Sequence, residues 1–503
     1  MTDTAQDPAA GPPQLDPDRL TPELIKIGIV ITFGTFVAQM DGTMVNVALD
    51  TLRKQFRTDV STIQWTMTGY LLAMAVVIPF TGWAINRFGP RSAWVWSLVI
   101  FLVGSVLSAV AWNAESLIGF RLVQGVGGGM MLPLSQAILA SEAGPKRLGK
   151  LMAVIGLPSL LGPVVGPAVG GLIVQDLNWR WIFYINIPIC LLSILLALRV
   201  MEGGRAKRGM KLDIVGLLLL SPGLVALVYA LARAGTAGSF DNTEVVAYLS
   251  VGAFLIAAYI WHARRRGAAA VIDLQLLRAR NFTAASVMMF LVSATLIGAM
   301  LLLPLYYQQV RDQSVLDTGL LLMPQGAGMA VAIPVAGGLI DKYDPRPFLI
   351  SGLLMLALGT GALTQVGAHT SMWVISGALV LRGAGFGAVM VPAMAVCYRG
   401  LRRDEIPAAT SAIRVFQQIG GSLGVALFAV TLQRQITSVF TSAHGRPTID
   451  AVAGAFGNTY WWVTGALILS VLPLLFISGG GPGEVIDGDL AMAEAAGEDA
   501  SRP

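Results

Sequence analysis

Apolar residues run along this chain in long, nearly unbroken blocks, with polar residues confined mostly to the short connections between them. Fourteen such blocks lie between the two ends, at 25–49, 63–85, 92–112, 115–139, 150–174, 181–200 and 213–233, then 244–264, 282–307, 316–340, 347–367, 372–397, 408–433 and 459–478. About 20 apolar residues in a helix cross the hydrocarbon core of a bilayer, and every block reaches that length. Backbone N–H and C=O groups in lipid must be satisfied within the chain, so blocks of this length read as helices rather than barrel strands. The expected fold class is all-α, a polytopic membrane protein with 14 transmembrane helices. Residues 1–23, rich in Pro, Asp, Thr and Ala, lack the apolar core of a signal peptide and read as a disordered cytoplasmic tail. Residues 479–503, glycine-rich and then acidic, read as a second solvated tail.

Composition narrows the function classes. Of the 503 residues, 55% are hydrophobic and 13% charged, about half the charge density of a soluble domain, which excludes a soluble enzyme and a disordered chain. Cys190 and Cys397 both fall in apolar blocks, so no disulfide framework is expected, and three scattered histidines build no metal site. The net charge of +5 implies no nucleic acid, because the basic residues sit in short loops. Those loops set the topology. The set that includes 2–3, 4–5 and 6–7 holds 20 Lys and Arg against 8 in the opposite set. The basic set is expected in the cytoplasm, with both termini on that side.

An internal repeat divides the chain. GWAINRFGPR (82–91) and GGLIDKYDPR (337–346) both leave even-numbered blocks, and GVGGGMMLP (125–133) echoes AGFGAVMVP (384–392), at offsets near 255 residues. Six helices, an inserted pair and six more explain that offset, and transporters are commonly built from such repeats. The expected units are a six-helix half over 24–203, an inserted hairpin over 204–280 and a second half over 281–478.

At these residues the chain resembles a known family. The loop pair is similar to the 2–3 loop motif of the major facilitator superfamily, and FRLVQGVGGG (120–129) resembles that superfamily's fourth-helix arginine motif. MDGTMVNVAL (40–49) and LGPVVGPAVGG (161–171) resemble the first-helix and fifth-helix motifs of its fourteen-helix drug:proton antiporters, the EmrB/QacA branch. WTMTGYLLAMAVVIPFTGW (65–83) and NWRWIFYINIP (178–188) also look typical of the branch. The resemblance implies a gate of Asn86, Arg87 and Arg91 with Asp341, Lys342 and Arg346 in the second copy. Asn86 stands where the family usually has Asp, which removes a charge from the first copy. In the fifth helix Gly156, Gly162, Gly166 and Gly170 form a stripe without side chains that lets backbones approach closely, Pro163 and Pro167 bend the helix, and Gly171 belongs to the same motif. That stripe reads as a seam between the halves.

Ionisable residues inside a membrane are costly and usually functional. Four lie deep in the blocks: Asp41, Arg121, Arg382 and Arg414. Asp41, the only deep acid, lies about 12 Å from the outer end of its helix, and Arg121 about 9 Å from the same face, at 1.5 Å per residue. They can meet at one depth, and the pair is the candidate for proton coupling. Arg382 and Arg414 either pair with carbonyls or line an aqueous cavity. Gln39, Asn46, Gln124, Gln417 and Gln418 either add hydrogen bonds to a substrate cavity or join helices. Trp65, Tyr306 and Tyr307 read as interface-belt aromatics.

GVGGGM (125–130) imitates a dinucleotide loop but follows no strand, and no phosphate-binding P-loop exists, so neither ATP nor another cofactor is expected. The sequence thus points to a non-enzymatic, proton-driven exporter of lipophilic or amphiphilic molecules by alternating access. It is expected to work as a monomer in the cell membrane, with lipids, protons and a small lipophilic substrate as its partners. A translocator of lipids or lipid precursors on the same scaffold is the alternative.

Overall fold

The computed structural model describes residues 21–143, 162, 165–166, 169–203, 212–340, 343–402, 405–442 and 447–477. Every regular element among the described residues is helical. Twelve helices there are long and apolar enough to cross a membrane, or thirteen when one bent pair counts as a span. Most of the fifth apolar block, including Gly156, Pro163 and Pro167, lies outside the described residues, as do Asp341 and Lys342.

The helices start and stop where local chemistry requires. Helix α1 (Pro22–Phe56) begins with Thr21, whose hydroxyl accepts from the Leu24 N–H, and with Pro22 in the first turn. Proline suits that position because its missing N–H has no partner there in any case. Helix α2 (Val60–Val77) is capped by Asp59, which accepts from the Thr62 N–H at 2.6 Å. The block read as one span over 63–85 is broken: α2 and α3 (Phe80–Phe88) meet at 56°. Pro79 sits in the break and cannot donate to a preceding carbonyl. Gly89, at φ 81°, then turns the chain into α4 (Pro90–Ala109), so the Gly-Pro of the loop motif is a helix stop followed by a helix start.

Helix α5 (Ala114–Ala143) completes the first four spans; α6 (169–176), α7 (Trp181–Tyr184) and α8 (Asn186–Val200) follow. The pair α9 (Ile214–Ala237) and α10 (Thr243–Arg266) comes next. The remainder is α11 (Arg280–Ala299), α12 (Leu302–Gln309), α13 (Val315–Ile340), α14 (Pro345–Ala362), α15 (Met372–Tyr398), α16 (Ile406–Ser442) and α17 (Ile449–Leu469). The last span starts ten residues before its predicted limit, because the small residues of AVAGAFGN carry little hydropathy yet continue the helix.

The repeat seen in the sequence is a repeat of packing. A Cβ on Gly125 of α5 would collide with the Tyr70 carbonyl, and one on Gly127 with Phe101 N and Ser97 O. In the second repeat Gly383 of α15 meets the Gln325 carbonyl in the same way, and Gly385 meets Leu356 N and Gly352 O. Tyr70 to Gln325, Ser97 to Gly352 and Phe101 to Leu356 are each one step of 255 residues. Glycine is required at these places because backbone lies directly over them. The same contacts explain the glycine run that imitates a dinucleotide loop.

Two features join the repeats. At the end of the bundle bearing Arg87 and Arg91, Thr81 and Ser411 share a hydrogen bond of 2.8 Å. A Cβ on Gly82 there would lie 3.0 Å from the Pro407 carbonyl. Arg414 of α16 also donates to Gln136 Oε1 of α5 at 2.9 Å. Helix α9 packs on both α2 and α16, and Ser221 donates at 2.7 Å to the Val76 carbonyl, one of the backbone groups next to the α2–α3 break.

Candidate functional site

Asp41 lies on α1 and Arg121 on α5, and both side chains are fully buried. Arg121 Nη1 donates to Asp41 Oδ2 at 2.5 Å and to Gln124 Oε1 at 2.7 Å. Asp41 Oδ1 accepts from Gln124 Nε2 at 3.0 Å and from Asn186 Nδ2 of α8 at 2.8 Å. Ser105 Oγ of α4 accepts from the same two amides, at 2.7 and 3.2 Å. Arg121 Nε donates to the Thr66 carbonyl at 3.3 Å, and its guanidinium stacks 4.0 Å from the centre of the Tyr70 ring. Five helices thus close on one carboxylate.

Glycine brings these helices together. A Cβ on Gly104 would stand 2.5 Å from Gln124 Cα, so α4 and α5 reach contact only because that side chain is absent. On the other side of α1, Gly162, Gly166 and Gly170 lie against Gln39, Met40, Thr43 and Met44, the residues flanking Asp41. The described glycines of the fifth helix therefore pack on α1 of the same half, where the sequence suggested a seam between halves. Gly171 is half-buried and only reaches Val47.

The network offers a definite chemistry. Asp41 accepts three N–H bonds, two on Oδ1 and one on Oδ2, so a proton on Oδ1 would displace one of them, while Oδ2 keeps one lone pair that could take a proton beside Arg121. Arg121 Nη2 and Asn186 Oδ1 are buried without a partner, which leaves one donor and one acceptor free to re-pair. Neutralising Asp41 would leave the buried Arg121 guanidinium without its counter-charge, which is costly.

The other predicted positions separate into groups. Gln124 belongs to the Asp41 network rather than to an open cavity. Gln39 is half-buried beside Gly162, and Asn46 is exposed on α1, outside the network. Gln417 is buried, donates to Met289 Sδ at 3.2 Å and keeps its Oε1 without a partner, while Gln418 is half-buried. Asn86, Arg87 and Arg91 are half-buried at the α3–α4 turn, and no ion pair joins them to one another or to another described residue. Arg346 is tied to the Ile477 carbonyl instead. Tyr306 and Tyr307 are fully buried, Tyr306 donating to the Gly367 carbonyl at 2.7 Å, which replaces their reading as interface-belt aromatics. Trp65 is exposed and stacks on Tyr229 of α9.

Asn186 and Ser105 were not among the predicted residues. Both are small polar side chains within apolar blocks, and only the facing of α4 and α8 onto α1 distinguishes them. The signal was faint: an amide in INIP (185–188), inside a motif already typical of the family.

With this geometry in place, the comparisons with known proteins can be read. The family model described as Major Facilitator Superfamily matches residues 31–425. The chain belongs to the major facilitator superfamily. Among its relatives, a multidrug resistance protein B homolog of Mycobacterium tuberculosis is 40% identical over 421 residues, covering 83% of this chain and 78% of that protein. The lincomycin resistance protein LmrB of Listeria monocytogenes is 28% identical over 400 residues, 79% of this chain and 84% of its own. Of solved structures, the proton:xylose symporter XylE aligns with a TM-score of 0.63 at 16% identity, over 93% of this chain and 99% of that one. The human organic anion transporter MFSD10 aligns at 0.62 and 16%, over 91% of this chain and 100% of that one. These structural likenesses establish the fold. The relatives are multi-pass membrane transporters of this family, several of them multidrug-resistance proteins, and not enzymes.

Proposed function

We propose that this protein is a proton-coupled exporter of lipophilic or amphiphilic small molecules, exchanging them for protons by alternating access. The observation that carries the reading is the fully buried Asp41–Arg121 pair of α1 and α5, cross-linked through Gln124, Asn186 and Ser105 to α4 and α8. A carboxylate so held gives a proton a binding place whose occupation removes the counter-charge of Arg121 and so weakens the contacts that join α1 to α5. The family's multidrug-resistance relatives support a drug-like substrate, and the 40% identity extends over most of both chains.

In this reading the chain is a fourteen-helix member of the drug:proton antiporter branch, with α9 and α10 as the inserted pair. It sits in the cell membrane as a monomer with both termini in the cytoplasm. The Thr81–Ser411 and Arg414–Gln136 contacts close the cytoplasmic side, and Arg87, Arg91 and Arg346 anchor it. The gradient supplies the energy, without ATP or a bound cofactor. Purified protein in proteoliposomes tests this: an imposed pH gradient should drive accumulation of lincomycin or a lipophilic dye, and an uncoupler should abolish it. Equal accumulation with and without the gradient would contradict the reading.

A further inference from the structure

The second repeat also buries an arginine at the centre of its packing, but supplies no acid for it. Gly104 and Gly359 are equivalent, and they lie against Gln124 and Arg382 respectively, so Arg382 occupies the place of Gln124. By the same 255-residue step Ser105 becomes Thr360 and Tyr70 becomes Gln325, and because Gly162 and Gly166 lie over the Phe36 and Met40 carbonyls as Gly420 and Gly424 lie over those of Phe290 and Ala294, Asp41 corresponds to Thr295. Arg382 is 2% exposed. Its guanidinium reaches Gln325 Oε1 at 3.3 Å and the carbonyls of Leu296 and Thr295 at 3.4 and 3.5 Å. Charge-assisted bonds to a guanidinium are normally about 2.7–2.9 Å, so these contacts leave much of its donor capacity unused. No carboxylate pairs with it among the described residues.

Unpartnered hydroxyls lie on the helices packed around it. Tyr307 and Tyr460 share one buried cluster with Leu379, one turn before Arg382 on α15, and Thr360 follows Gly359, which lies against Arg382. The hydroxyls of Tyr307 and Tyr460, and that of Thr360, are all buried without a hydrogen-bond partner. Each hydroxyl can donate a hydrogen bond to an anionic oxygen. Around the two phenols lies an apolar cluster that includes Leu303, Leu379, Phe428 and Phe456. A cation, three free hydroxyls and an apolar wall are the complement of an anionic head group on a hydrophobic body.

We propose that Arg382, with Tyr307, Tyr460 and Thr360, forms a binding site for the carboxylate of an amphiphilic substrate. The proposal rests on the exporter reading and names the substrate class for it. One guanidinium balances one negative charge, so a monoanionic carboxylate leaves a neutral pair inside the membrane. A phosphate dianion would leave a net charge there, which is costly in low dielectric. The ligand's carboxylate would then supply in the second repeat the charge that Asp41 supplies in the first.

Binding tests this without transport, so the outcome is separate from that of the coupling experiment. Radiolabelled laurate is titrated onto the full chain in phosphatidylcholine nanodiscs, with dodecyltrimethylammonium, acetate and inorganic phosphate as competitors. Saturable laurate binding is expected, weakened at least tenfold in Arg382→Gln and roughly three- to tenfold in Tyr460→Phe, which keeps the ring and its packing. Dodecyltrimethylammonium should not compete, and acetate should compete only at far higher concentration. Absence of saturable binding, unchanged affinity in both variants, or equal competition by the cation would overturn the proposal. Phosphate competing more strongly than laurate would assign the site to a free oxyanion and overturn the amphiphile.

Discussion

In the first repeat Arg121 closes on Asp41 at 2.5 Å inside a network that uses nearly every polar atom. In the second, Arg382 stands at the place of Gln124 rather than of Arg121, with three acceptors at 3.3–3.5 Å and no acid beside it among the described residues. Both repeats bring their helices together on glycine, at Gly104 over Gln124 and at Gly359 over Arg382. The packing is therefore inherited by both halves, while charge is assigned to each separately. This difference teaches that shared architecture does not dictate shared chemistry. One half carries a complete buried ion pair, and the other a buried cation with no acid beside it among the described residues.

The sharpest way to break this comparison is to remove each arginine in turn. Arg121→Met leaves Asp41 as an uncompensated buried carboxylate, and breaking a buried pair costs about 3–5 kcal/mol. Arg382→Gln removes a charge that has no counter-charge, so its effect on stability should be near zero or favourable. Apparent unfolding midpoints in a common detergent should fall strongly for the first and stay or rise for the second. Equal losses would mean that both arginines are paired alike. Next in size are the two glycines. Gly104→Ala and Gly359→Ala should each destabilise by about 1–3 kcal/mol through overpacking. The former should impair coupling to a pH gradient, because it displaces Gln124, and the latter carboxylate binding, because it displaces Arg382.

How much of this was legible beforehand differs by element. Asp41 and Arg121 stood out because charge in an apolar block is rare, and their depths agreed along two helices. Their neighbours did not, since Asn186 and Ser105 are ordinary polar interruptions until tertiary contacts select a face. The α2–α3 break was signalled by Pro79, yet hydropathy alone runs through it. Tyr306 and Tyr307 misled because aromatic residues near the end of an apolar block suit an interface as well as a core. The repeat was visible in its motifs, but the substitution of Arg382 for Gln124 emerged only when Gly104 and Gly359 were seen on equivalent helices.

A smaller effect concerns the contact between the repeats. Thr81→Val and Ser411→Ala each remove a partner from a buried hydrogen bond, a change of about 1 kcal/mol. Each should shift the population toward separation at that end, measured by spectroscopic distances between labels on α3 and α16. The double variant should shift little more than either single one, because both act on the same bond. Additive shifts would show that the two hydroxyls act on different partners.

The central claim is that Asp41 couples protons to transport, and asparagine in its place keeps the side chain's shape and a carbonyl acceptor for the Arg121 guanidinium. Asp41→Asn is therefore expected to fold. The decisive measurement compares two modes in the same proteoliposomes: accumulation of a lipophilic probe driven only by a pH gradient, and gradient-free exchange of labelled for unlabelled probe. The account predicts that Asp41→Asn loses the first and retains the second. Accumulation against the probe's own gradient in Asp41→Asn, at the wild-type level, would contradict it.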